Sequence, residues 1–277
     1  MNIRKLILAL AATASVGFVA CNESNTAQAT QNAATVTQAV VATNVSAAVK
    51  GTEINAPYAE FLSKYVKRGN GINLVAYDKV TDADRAALRT YIATLEALKP
   101  SQMSKNEELA YWFNLYNAKT VDLIVEEYPI KSIKQIGLNG PWGKKVLNVE
   151  GKRMSLNDIE HGTVRAKYDE PRIHYAFNCA SIGCPDLKPS PWEAATLEAD
   201  MTEAARDFVA SDRGVQVKDG QIRASKIFNW YKKDFGGNAQ GILSHVRQYA
   251  TGDKKAALDA AKTIKGYDYD WNLNIVK

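Results

Sequence analysis

The sequence predicts an α+β fold: a mostly helical single domain with a small antiparallel or mixed sheet. Three observations predict it. Four segments fit or approximate the spacing of a helix-capping box: Thr81-Asp82-Ala83-Asp84, Ser104-Lys105-Asn106-Glu107, Ser155-Leu156-Asn157-Asp158 and Ser190-Pro191-Trp192-Glu193. Apolar residues recur behind them at intervals of three and four. Only short stretches alternate in the manner of strands, the clearest running from Val215 to Arg223 around Asp219-Gly220.

In chain order, the first element is an export signal. Arg4 and Lys5 precede an unbroken apolar or small run from Leu6 to Ala20, so residues 1–20 are expected to be a signal peptide. The run is too short to span a bilayer comfortably. It ends in Phe18-Val19-Ala20-Cys21, which resembles a bacterial lipobox. That resemblance makes Cys21 the lipidated first residue of the mature chain and, with Asn22 after it, implies an outer-membrane lipoprotein facing the periplasm. Residues 21–50 are rich in Ala, Thr, Asn, Gln and Val and hold neither Gly, Pro nor aromatic groups. They bury too little to fold and are expected to form a disordered tether, a coil spanning roughly 30 Å.

Residues 51–277 read as one globular domain, with no repeat and no internal linker. The net charge of the whole chain is only +5, and Lys and Arg alternate with Asp and Glu throughout. No basic strip argues for nucleic acid. The one partner expected is the membrane, through the lipid anchor.

Behind Thr81, Leu88, Tyr91, Ile92, Leu95 and Leu98 recur at helical spacing until Pro100 stops the run. Behind Ser104, the apolar face is Leu109, Trp112, Phe113, Tyr116, Thr120, Leu123 and Ile124. A weaker hairpin is expected over Val146 to Met154, a helix from Ser155, and a third strand from Arg172 to Cys179. The helix expected from Ser190 carries Leu197, Met201, Ala205, Phe208 and Val209 on one face.

Polar groups interrupt two of these helices. Asn117 lies on the apolar face of the Ser104 helix and Asn114 at its edge, three residues back, so both amides point the same way. An unpaired buried amide costs about 1–3 kcal/mol, so each must find a partner. Either they tie down loop backbone, or they orient a catalytic imidazole or polarise a carbonyl. In the Ser155 helix, Glu160 and His161 are neighbours that diverge by some 100°, whereas His161 and Arg165 share a face. The plain account of that face is a solvated or salt-bridged surface.

The densest chemistry lies in His174-Tyr175-Ala176-Phe177-Asn178-Cys179-Ala180-Ser181-Ile182-Gly183-Cys184-Pro185. As a strand, it sends His174 and Cys179 to opposite faces, so they pair only if the chain turns. Four readings stay open. Export to an oxidising compartment favours a Cys179–Cys184 disulfide. Cys179 is also a candidate nucleophile, served by His161 or His174 and steadied by Asn117 or Asn114. A thiol oxidoreductase is disfavoured because the spacing is not C-x-x-C. Zinc on Cys179, Cys184, His174 and His161 lacks the usual ligand spacing.

Tyr111 to Ala118, Ser155 to His161 and Ile173 to Pro185, in this order, resemble the domain-of-unknown-function family 547. Ile227 to Phe235 and Tyr267 to Asn274 are similar to its later segments, so the resemblance extends over roughly Tyr58 to Asn274. It implies that Asn114, Asn117, Glu160, His161, His174 and Cys179 occupy motif positions, and it implies no mechanism. The reading taken is an envelope lipoprotein with a non-catalytic binding or interaction domain for an unknown ligand, Cys179 and Cys184 being oxidised. No cofactor and no metal are expected. The alternative is a thiol-dependent hydrolase or acyl/amide transferase in which Cys179 attacks and His161 or His174 moves the proton.

Overall fold

The computed structural model describes residues 52–138 and 140–277. The expected signal peptide, the lipidation position Cys21 and the tether lie outside the described residues. Those described belong to one compact unit with the α+β character expected, helices dominating and sheets of two or three strands. Among them, no helix is long and apolar enough to cross a membrane.

Helix α1, residues 52–65, runs directly into a hairpin of β1 (Val66–Gly69) and β2 (Ile72–Val75). Its turn, Asn70-Gly71, has φ of 51° and 75°, the left-handed pair that lets two residues reverse a twisted ribbon. Helix α2 (Asp82–Glu96) starts where expected, with the Asp84 N–H donating to Thr81 Oγ1, and it buries Leu88, Tyr91, Ile92 and Leu95. Helix α3 (Lys105–Glu127) has its full capping box, Ser104 N–H donating to Glu107 Oε2 at 2.8 Å. From Glu108 to Ala118 it is buried on every side, a wider burial than one apolar stripe predicts. It is the central post of the fold.

The expected second hairpin is β3 (Leu147–Val149) with β4 (Lys152–Met154). After it, Ser155 N–H donates to Asp158 Oδ2 and Asp158 N–H to Ser155 Oγ, a reciprocal cap. The chain then winds as a π-helical segment, Asp158–Val164, before the short α4 (Arg165–Lys167). Such wide turns recur at functional sites. This one buries the adjacent Ile159 and Glu160 together.

Two sequence expectations fail here. Arg172 to Cys179 is not a strand but a 3-10 helix, Pro171–Tyr175, followed by irregular chain. Pro171 starts it and Glu170 caps the Arg172 N–H. The alternation misled because the segment lies between two cores. Ile173 and Phe177 enter one and Tyr175 the other. Ser190 starts no helix either. The helix α5 (Leu197–Ala210) begins seven residues later, because Trp192 is drawn into the core and both of its backbone groups bond to Asn114. Leu197, Met201, Ala205, Phe208 and Val209 are buried as expected.

The remaining elements build the second core. Strands β5 (Val215–Lys218) and β6 (Gln221–Ser225) form the Asp219-Gly220 hairpin. Helices α6 (Lys226–Trp230), α7 (Ala239–Arg247) and α8 (Gly252–Ala260) pack Phe228, Leu243 and Leu258 against Phe208 and Tyr175. Strand β7 (Gly266–Asp268) joins β6 in parallel, which makes this sheet mixed. The tail beyond β7 then crosses the Cys179 loop and reaches β2: Gly183 N–H donates to Asp270 O, Ile182 N–H to Asn272 O and Val75 N–H to Asn274 O, each at 2.8 Å.

Candidate functional site

A cavity of about 250 Å³ opens beside the Cys179 loop, lined among others by Trp142, Glu160, His161, Cys179, Trp230 and Tyr269. Its polar groups come from the π-helical segment, the 3-10 helix and the loop after it, α6 and its exit, and the C-terminal tail. Four of the sequence candidates, Glu160, His161, His174 and Cys179, line it together with Cys184. Asn114 and Asn117 do not.

The two amides hold loops. Asn117 Nδ2 donates to Ala176 O and Asn178 N–H donates to Asn117 Oδ1, both at 2.9 Å. Asn114 does the same one turn earlier, with Trp192 O at 2.9 Å and Trp192 N–H at 2.8 Å. Each amide thereby satisfies buried backbone groups that have no ladder to join. Asn178 continues the scaffold, its Nδ2 donating to Pro185 O and its Oδ1 accepting from Ala180 N–H, which bends the loop through the left-handed Ala180 (φ 57°).

That bend brings Cys184 Sγ against the Cys179 backbone, whose N–H donates to it at 3.0 Å. The Tyr269 hydroxyl lies 2.9 Å from Cys179 Sγ and 2.7 Å from Ser181 Oγ, and Ser181 Oγ is 3.2 Å from Cys179 Sγ. Cys179 is partly exposed and Cys184 is buried, and both are free thiols. Gly183 is required between them: a Cβ there would meet Asp270 N at 2.7 Å and the Tyr269 ring at 2.9 Å. Arg213 ties the loop from outside, donating to the carbonyls of Ile182 and Cys184 and to Asp186.

The pair titrates unevenly. The Cys179 thiol is pushed up, first by its hydrogen bond to Cys184 and then by burial. Burial also raises Cys184, but hydrogen bonds from Cys179 and Tyr269, with the Cys179 N–H and Ser181, outweigh it and leave this sulfur below the ordinary thiol range. One negative charge is therefore welcome on the pair and a second is not. Burial and the neighbouring sulfur charges push the Tyr269 phenol upward, so it remains a donor.

Neither imidazole makes a hydrogen bond to sulfur among the described residues. His174 is buried with Nε2 2.7 Å from Asp234 Oδ2, stacked on Tyr231 at 4.1 Å. Arg165 grips the same carboxylate through Nε and Nη2. Partial burial acts to raise the Asp234 carboxyl, but the bonds from His174 and Arg165 prevail and hold it well below the usual carboxylate range. His161 is the more exposed ring, with Nδ1 3.4 Å from Arg165 Nη1 and 3.9 Å from Glu160 Oε1. Glu160 is buried near Tyr231, whose hydroxyl proton is held more tightly by burial and by the charge of that carboxylate. No group of three His, Cys, Asp or Glu side chains among the described residues could hold a metal ion.

A cluster of aromatic rings borders the same cavity. Trp142 packs on Trp271 at 5.8 Å, Trp271 on Tyr269 at 4.6 Å, and Tyr269 on Trp230 at 4.8 Å. Trp230 is 45 % exposed, an unusual state for so large an apolar ring.

Residues 100–209 match the family model described as "Protein of unknown function, DUF547". The matched segment contains α3, the π-helical segment and the whole Cys179 loop. It ends before Tyr231, Asp234, Tyr269 and Trp271, although the last two touch the cysteine loop or the aromatic cluster. The searches of curated proteins and of solved structures found no match. Sequence reading named none of Ser181, Tyr231, Asp234 and Tyr269 as site residues. Tyr231 and Asp234 sit in the motif Ile227 to Phe235, and Tyr269 in the aromatic-acidic tail, where the available signal was polar groups embedded among aromatic residues.

Proposed function

We propose that this domain is the binding module of a bacterial envelope lipoprotein, anchored through Cys21, carried on the tether of residues 21–50, and taking a small ring-bearing ligand into the cavity beside Cys179. The supporting observation is the cavity itself: about 250 Å³, lined both by Trp142, Trp230 and Trp271 and by the buried Glu160. Aromatic faces bind the flat side of a ring and attract cations. A buried carboxylate accepts from donors and repels anions, so the ligand is neutral or cationic.

Tryptophan fluorescence tests this reading, because three of the five tryptophans line the cavity. The full chain is titrated with N-acetylglucosamine, choline, indole and indole-3-acetate as neutral, cationic, apolar and anionic probes. Saturable quenching by at least one of the first three, lost in Trp230→Ala and weakened in Glu160→Gln, is expected. No saturable response to any probe, or binding unchanged in both variants, sinks the proposal.

The second reading is a thiol-dependent hydrolase or acyl/amide transferase using Cys179 with His161 or His174. It is favoured by the opening of these groups onto the same cavity. Its difficulty is the missing base at sulfur, both imidazoles being engaged elsewhere. A p-nitrophenyl acetate burst leaving an acetyl group on Cys179, abolished by His161→Gln or His174→Gln, is what this reading requires.

A further inference from the structure

We infer that Cys179 and Cys184 are a dithiol–disulfide couple that oxidises thiols, with Cys179 as the sulfur open to an incoming thiol and Cys184 as the leaving group. The inference is independent of what else the cavity binds. It rests on an asymmetry of access and of donors. Both sulfurs border the cavity, but Cys179 is partly exposed whereas Cys184 is only 4 % exposed. Cys184 Sγ receives the Cys179 N–H at 3.0 Å, and the linked hydroxyls of Tyr269 and Ser181 lie 2.9 and 3.2 Å from Cys179 Sγ. A disulfide sulfur is a poor acceptor, so these groups serve the reduced pair, the backbone N–H at Cys184 and the hydroxyls at Cys179. A couple whose reduced form is stabilised in this way is an oxidant.

The exchange balances in two steps. An incoming thiolate RS⁻ attacks Cys179 Sγ of the disulfide, the S–S bond breaks, and its electron pair leaves on Cys184 as thiolate. Cys179 now carries the mixed disulfide with R. A second thiolate R′S⁻ attacks the sulfur of R, RS–SR′ departs, and Cys179 retains the electron pair. The protons released by the two substrate thiols end on the protein pair, so two thiols are oxidised and one protein disulfide is reduced. A low-molecular-weight disulfide restores the oxidised pair by the reverse exchange. Attack is directed to Cys179 because it is the accessible sulfur, and departure is fastest from the sulfur with the lower thiol pKa. The C-x4-C spacing is unlike the familiar redox motif. The bend at Ala180 and the close crossing of Tyr269 over Gly183 replace the helix terminus that usually lowers a thiol pKa.

The test uses the full chain carrying Cys21→Ser, so that this pair supplies its only thiols. The protein is equilibrated in reduced and oxidised glutathione at graded ratios, acid-quenched, alkylated with iodoacetamide and weighed. A single two-electron transition is expected. Tyr269→Phe keeps the ring and deletes one donor, so its midpoint moves about tenfold toward more reducing ratios. Ser181→Ala shifts the midpoint in the same direction and serves if Tyr269→Phe does not fold. In Cys184→Ser, oxidised glutathione leaves an adduct on Cys179, while in Cys179→Ser it leaves Cys184 unmodified. Thiols free at every ratio, an adduct on Cys184 instead, or midpoints unmoved by the folded donor variants would overturn the inference.

Discussion

Two loops hang from α3 by the same device and do different things. Asn117 clamps the peptides around Ala176 and Asn178, and Asn114 clamps Trp192. The first loop presents two sulfurs to a cavity lined by tryptophans, a carboxylate and imidazoles. The second borders another cavity of about 250 Å³, whose walls are mostly apolar, including Leu95, Leu98, Met103 and Tyr111. Anchoring and chemistry are thus separate properties. An amide on a buried helix fixes the position of a loop, while the side chains on that loop, and what crosses it later in the chain, decide what it can do.

The largest effect expected comes from breaking the clamps. Asn117→Ala and Asn114→Ala each strand a buried N–H and a buried carbonyl, and each is expected to cost about 4 kcal/mol of stability. Urea unfolding checks the equality. Iodoacetamide kinetics check the difference, since only Asn117→Ala is expected to speed alkylation of Cys179. Equal acceleration in both variants would erase the distinction between the loops.

Acidification gives a smaller effect that arises in the second core. His245 is buried in the second core with Nε2 2.8 Å from the Tyr175 hydroxyl, and burial lowers its pKa to about 4. Its folded pKa lies below the unfolded value near 6.5, so between these values the unfolded chain binds the extra proton. Stability is expected to fall as pH drops from about 6.5 to 4, by on the order of 3 kcal/mol, and this component levels off below. His245→Gln removes it. A wild-type minus variant difference that stays flat across this range would contradict the assignment, and thiol reactivity should differ little between the two proteins.

Gly183→Ala is the smallest of the three and the most local. The new Cβ must displace the Asp270 peptide or the Tyr269 ring, costing about 2 kcal/mol. Moving Tyr269 away from the sulfurs should raise the pKa at which the pair first ionises, readable from thiolate absorbance against pH. Loss of stability with that pKa unmoved would mean that Tyr269 only packs.

Much of the fold is local and was therefore legible. The caps at Thr81, Ser104 and Ser155 are chemistry between residues three apart, and the Asp219-Gly220 hairpin needs only its turn. Asn70-Gly71 carries an equally strong turn signal, and the hairpin around it was overlooked because Val66 to Val75 mixes Lys, Arg and Asn into its alternation. The Cys179 loop was misread for a different reason. A segment buried against two cores at once has no single apolar face, so alternation and 3-10 winding leave similar patterns in it. Ser190 had the letters of a cap, but Trp192 gained more from the core and from Asn114 than from starting a helix.

By itself the sequence determined the class of fold, most helix starts, and the fact that His161, His174, Cys179 and Cys184 concentrate reactive chemistry in a short span. These follow from spacing and side-chain type, which act over a few residues. Only the tertiary structure decided which groups meet. His174 turned to Asp234, sixty residues on, instead of to a sulfur, and Cys179 met a tyrosine ninety residues away in the tail. Such pairings are set by how two cores and one crossing strand of backbone pack, and no local pattern encodes that.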